Sequence, residues 1–338
     1  MNRKDFLQSG IPFLAAVPAF TTKTTAPKKH IPPYLKKGDV IGITCPSGYL
    51  PADDVKAAVK KMEDWGFRIV LGKTVGLKDF TLAGTDEERA ADLQQMIDDK
   101  SVNAIMLGRG GYGAIRVIDQ IDWSRFAKHP KWIMGFSDAT VLHLHLNNHL
   151  HIPSIHCKMC NSFPDDESMV SPDQADSIDS IRRSLTGEKM NYEACTLLEN
   201  RKGVAEGDLV GGNLSIIEMM CGSASEIDTK NKILFIEDVG EYMYKLDGML
   251  WNLKRSGKLS KLKGLVVGGF RIKEDEDEDG DGFGKTLYDI VMEKINGYSY
   301  PVCFDFPVGH IRVNYALKCG MPHRLEVNDS NARLISLK

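Results

Sequence analysis

The stretch Trp132-Ile133-Met134-Gly135-Phe136-Ser137-Asp138-Ala139-Thr140 holds the residue best suited to nucleophilic chemistry. An apolar strand runs straight into a serine, and a helix is predicted from Asp138 to about His149. The layout matches the nucleophile elbow Gly-x-Ser-x-Gly, with Ala139 at the second small position. A sharp turn exposes the hydroxyl, and the helix amino terminus offers free N–H groups to a developing oxyanion. Simple capping of that helix by Ser137 or Asp138 is the alternative use of the same residues. Gly108-Arg109-Gly110-Gly111-Tyr112-Gly113 follows the neighbouring strand and can bring further N–H groups to the same oxygen. The run spells Gly-x-Gly-x-x-Gly, yet the region about twenty residues on, where a dinucleotide site needs an acid, holds Lys131. Nor is this run followed by the Lys-Ser/Thr of a P-loop.

A serine needs a base, and the base needs a group to orient it. Glu237 follows the apolar run Ile233-Leu234-Phe235-Ile236, and a carboxylate just past such a strand is placed to hold an imidazole. Asp238 and Glu241 are the competing carboxylates. His310, in Pro307-Val308-Gly309-His310, sits where a strand breaks at Pro and Gly. Histidine suits proton transfer because its ordinary pKa lies near working pH.

The elements around these residues read as α/β. Strands are predicted at 39–44, 68–71, 104–107 and 131–136, alternating with helices at 52–65, 86–98 and 114–121. Such alternation implies a parallel sheet with its chemistry in loops at the strands' carboxyl ends. The 338 residues favour two domains, since single cores stop growing at roughly 250–300 residues. The nucleophile domain is placed at 35–163, a more polar connecting region at 164–203, and a second domain at 204–338.

Net charge is −3 with no basic stripe, which argues against a nucleic-acid partner. No apolar run reaches the roughly 18–20 residues that span a bilayer. Seven unevenly placed cysteines do not describe a disulfide framework. Residues 1–30 read as a leader: Arg3-Lys4, an apolar stretch from Ile11 to Phe20, and the small exit Val17-Pro18-Ala19. They resemble a twin-arginine signal with one arginine replaced by lysine, so export to a periplasm is expected, with a cytoplasmic tail as the alternative.

Three further signals are discounted. His143, His145, His149, His151 and His156 cluster, but no acid follows His145 as a zinc helix would need. Cys157-Lys158-Met159-Cys160 lacks a second pair or a thioredoxin-like context. Asp275-x-Asp277-x-Asp279-Gly280 begins like a calcium loop, but Thr286 stands where the bidentate glutamate belongs.

Taken in order, Gly108–Gly113, Gly135-Phe136-Ser137-Asp138, Gly211-Gly212-Asn213-Leu214, Phe235-Ile236-Glu237-Asp238-Val239 and Pro307–His310 resemble the LD-carboxypeptidase family. That family includes murein tetrapeptide carboxypeptidases and microcin C self-immunity proteins, and the likeness covers roughly residues 35 to 330. The resemblance implies a flavodoxin-like parallel-sheet amino-terminal domain and a smaller β-rich carboxy-terminal domain. It implies a Ser137–Glu237–His310 triad, and an oxyanion hole from the backbone N–H groups of Gly110, Gly111 and Asp138. Arg109, Tyr112 and Asn213 are taken as substrate contacts, Arg109 as a cation for a free carboxylate. No cofactor or metal is implied, and a homodimer acting on a small murein peptide is. A peptidyl-nucleotide amide hydrolase and a non-catalytic peptide binder are the competing readings.

Overall fold

Strand β1 (Val40–Thr44) is buried along its whole length, as a strand covered on both faces must be. The computed structural model describes residues 29–273 and 282–338. Residues 1–28 of the leader read at 1–30, and the acidic calcium-like run at 274–281, lie outside those residues. Beside β1 run β2 (Arg68–Leu71), β3 (Val102–Leu107), β4 (Trp132–Gly135) and β5 (Ser154–His156), all parallel. The connecting helix Asp86–Asp98 begins on a capping box. Thr85 Oγ1 accepts from the Glu88 N–H at 3.2 Å, and the Glu88 carboxylate accepts from the Thr85 N–H at 2.8 Å.

The second sheet is built from β6 (Asn191–Cys195), β7 (Gly203–Asn213), β8 (Ile233–Tyr242), β9 (Gly264–Lys273), β10 (Val302–Cys303), β12 (Pro322–Val327) and β13 (Asn331–Ser336). Its order is β10-β9-β8-β7-β12-β13-β6. The β7–β10 half is parallel, and β12, β13 and β6 are antiparallel. The remaining strand, β11 (Leu317–Cys319), leaves this half and pairs antiparallel with β5, so the first sheet reads β11-β5-β4-β3-β1-β2.

The 164–203 segment joins the halves with structure of its own. Helix Pro172–Leu185 packs Ile178, Ile181 and Leu185 behind the first sheet, and β6 edges the second. One apolar cluster runs through both halves, joining Leu107, Ile133 and Val141 to Val210, Leu234 and Leu250. An interface of that kind holds the halves in one relative position.

Candidate active site

Strand β4 ends at Gly135, and Ser137 turns the chain with φ of +60°, a left-handed conformation rare for a residue with a side chain. Such a residue costs about 1–3 kcal/mol and is kept where surrounding packing enforces it. The small neighbours are required: a Cβ on Gly135 would lie 3.0 Å from that of Ala139. Helical turns follow over 137–150, as the sequence predicts, in 3-10, α and π stretches.

Gly110 lies against the serine. A Cβ there would stand 3.0 Å from Ser137 Cβ and 3.2 Å from Ser137 Oγ. The N–H groups of Gly110 and Gly111 make no backbone hydrogen bond among the described residues. The buried Asp138 carboxylate fixes this loop, accepting from the Ala114 N–H at 2.8 Å and the Ser47 hydroxyl at 2.6 Å. Burial pushes the Asp138 carboxyl upward, while Ser47 and the Ala114 N–H oppose the shift. The fully buried Arg89 adds a second staple, donating to Pro46 O at 2.5 Å and Gly113 O at 3.0 Å and pairing with Asp86. The sequence offers Asp138 as a backbone donor or a helix cap, not as the carboxylate that holds this loop, and it does not mark Ser47 or Arg89.

Glu237 lies inside β8 rather than just past its end, because the strand continues to Tyr242. Pairing with β9 slips between Ile236, opposite Val267, and Asp238, opposite Phe270, leaving Gly268 and Gly269 beside Glu237. The carboxylate is fully buried and accepts from His310 Nδ1 at 2.5 Å. Burial pushes the Glu237 carboxyl up, and His310 and the Asn213 amide counter it. Asp238 is committed elsewhere: it accepts from Asn213 Nδ2 at 3.0 Å and from the Ser215 N–H and hydroxyl at 2.8 and 2.5 Å.

The His310 turn is held on several sides. Gly309, at φ of +105°, leaves no room for a side chain, since its Cβ would lie 2.5 Å from Glu237 Cβ. The Gly309 N–H donates to the buried Asn314 Oδ1 at 2.9 Å, and the Gly269 N–H donates to Val308 O at 2.8 Å. The imidazole rests on Phe136, the residue before Ser137, with ring centroids 4.8 Å apart. Its Nδ1 faces the carboxylate, which leaves Nε2 as the ring's other proton site.

The three residues taken as substrate contacts differ in placement. Tyr112 is 54% exposed at the rim. Arg109 is exposed but donates to Tyr49 O at 3.0 Å, bracing the glycine loop against its neighbour. Asn213 is buried, capping the helix Leu214–Met219 through Ile216 N and holding Asp238. Its Gly-Gly-Asn sequence before a helix is the signal of that capping role.

Two of the five clustered histidines, His143 and His145, have side-chain hydrogen-bond partners. His143 lies 2.8 Å from Ser154 Oγ and 2.9 Å from Gly135 O, and His145 lies 2.8 Å from Ser225 Oγ. Among the described residues no group of three or more His, Cys, Asp or Glu is arranged to hold a metal. Cys157 and Cys160 are buried free thiols that burial pushes well above their usual range.

A parallel-stranded α/β half carrying an elbow serine, joined to a second half carrying a histidine held by a buried glutamate, is the architecture of a two-domain hydrolase. Residues 41–157 match the model of the LD-carboxypeptidase amino-terminal domain, and 206–325 that of its carboxy-terminal domain. The chain is 31% identical over 307 residues to a probable murein peptide carboxypeptidase of Bacillus subtilis, covering 89% of this chain and 93% of that protein. It is 23% identical to the microcin C7 self-immunity protein MccF of Escherichia coli, over 88% of this chain and 93% of the relative. The crystal structure of muramoyltetrapeptide carboxypeptidase from Oxalobacter formigenes superposes with a TM-score of 0.77 at 27% identity, covering 88% and 98% of the two chains. The chain belongs to the LD-carboxypeptidase family and is a peptidase.

Proposed function

We propose that this peptidase is a serine carboxypeptidase that hydrolyses the bond before the terminal D-alanine of murein tetrapeptides, with Ser137, His310 and Glu237 as its triad. The observation that carries the reading is the 2.5 Å contact between Glu237 and His310, on an imidazole packed against the residue preceding Ser137. The relatives named for murein peptides and for muramoyltetrapeptide supply the substrate class.

In this reading Glu237 holds the His310 tautomer whose Nε2 accepts the Ser137 proton, and Ser137 Oγ attacks the scissile carbonyl. The N–H groups of Gly110, Gly111 and Asp138 receive the oxyanion. His310 passes the proton to the departing D-alanine amine, and water then releases the acyl group from Ser137. Asn213 acts here by steadying Glu237 and Asp238. Export by the leader and a homodimeric state belong to the same proposal.

The native protein should release D-alanine from a murein tetrapeptide, read by mass spectrometry. Ser137→Ala should lose about 10⁴–10⁶-fold in kcat. An intact tetrapeptide together with cleavage of an aminoacyl-nucleotide amide would move the reading to the immunity-type reaction. Full turnover by Ser137→Ala would end both.

A further inference from the structure

Beyond the proposed triad, the site region contains cations with no assigned task. Lys158 follows β5 by two residues and is only 7% exposed. Ile155 and Cys157 belong to the core behind the first sheet, so the alternation of a strand turns His156 and Lys158 the other way. That face is the one the site occupies. His156 packs its ring 5.9 Å from Phe136 and 5.1 Å from Phe235, and Phe136 in turn carries the His310 ring. The next residue, Met159, brings its methyl within 3.2 Å of the Cβ position on Gly110, which stands equally close to Ser137 Oγ.

Lys158 makes no hydrogen bond or ion pair with any described residue, and the charge that acts on it is another cation, Arg312. Arg312 stands two residues past His310, is exposed, and likewise has no ion pair among the described residues. Burial, and then Arg312, lower the Lys158 pKa, a cost that an anion between the two would offset. Arg109, by contrast, is engaged with Tyr49 O.

We propose that Lys158 and Arg312 form the subsite for the free terminal carboxylate of the peptide, the feature that confines cleavage to the last residue. The proposal rests on the serine carboxypeptidase reading, because it names the group that this enzyme must grip beside the scissile bond. An ammonium on a buried stem supplies a fixed point charge, and an exposed guanidinium closes on the second oxygen with directed N–H donors.

The test is binding of two ligands to full-length Ser137→Ala by calorimetry: the free-acid tetrapeptide and the same peptide as its terminal carboxamide. The free acid should bind about 10–100-fold more tightly, the worth of charge-assisted hydrogen bonds. Adding Lys158→Met, or the surface change Arg312→Gln should the first fail to fold, should remove most of that preference and leave carboxamide affinity unchanged. Arg109→Gln should keep it. A preference that survives both changes, an equal loss on both ligands, or no measurable binding of the free acid would overturn the subsite. Fluorophosphonate labelling of the single Lys158→Met variant separates the two readings. A wild-type labelling rate with lost discrimination supports the subsite, whereas an unlabelled native protein with intact discrimination counts against the serine chemistry alone.

Discussion

Gly110 and Ser137 leave each other no room to spare, and that closeness makes a sharp test. The Gly110 backbone lies outside the left-handed region, so alanine brings crowding alone, against Ser137 at 3.0–3.2 Å and the Met159 methyl at 3.2 Å. Gly110→Ala should keep the fold and lose about 10²-fold in kcat, the loss expected when an oxyanion donor is displaced. A melting temperature near that of the native protein with unchanged turnover would show that the loop takes no part. The candidate triad was legible because each member sits in a short motif with a backbone reason: an elbow, a strand, a Pro-Gly turn. The contacts by which Asn213 holds Asp238 and Ser47 holds Asp138 were not, since bonds between buried polar groups far apart in the chain leave no local pattern. Lys158 was hidden inside Cys157-Lys158-Met159-Cys160, where attention falls on the sulfurs.

At the scale of elements, the helical stretch behind Ser137 carries its own pH dependence. Burial lowers His143 and His145 to about 4, and does the same to His323 on β12. The unfolded chain takes up these protons near the ordinary value of about 6.5, whereas the folded chain resists until about 4. Stability contributed by the neutral rings is therefore complete above that ordinary value and is lost as pH falls through the window to about 4. The urea midpoint should drop across this interval, and a midpoint flat from neutral pH down to about 4 would contradict the burial of these rings. The alternating elements of the first half were legible because β1, β3 and β4 carry the apolar runs Val40–Ile43, Ala104–Leu107 and Trp132–Gly135. Helix Pro172–Leu185 was not. Its buried face mixes Ile178 and Ile181 with Ser177, Ser180 and Ser184, and Ser177 and Ser180 bond to the helix's own carbonyls. Those hydroxyls dilute the apolar stripe that marks an amphipathic helix.

For the whole molecule, the core that runs from Ile133 to Leu250 predicts that the halves do not unfold separately. Calorimetry should give one transition with matching calorimetric and van't Hoff enthalpies, and two resolved transitions would show the halves to be independent. Sequence placed two domains but not the one strand that crosses from the second half to the first sheet, because Leu317-Lys318-Cys319 is too short and too mixed to announce its partner.

Strand β11 has a practical consequence. Its residues lie downstream of His310 yet complete the sheet that carries Ser137, covering the outer side of β5. Removing the carboxy terminus from upstream of Leu317 would uncover the amino-terminal half as well, leaving a raw sheet margin open to neighbouring molecules. A chimera that trades one half for a relative's must therefore take Leu317–Cys319 from the same parent as the serine half, whatever its cut point elsewhere.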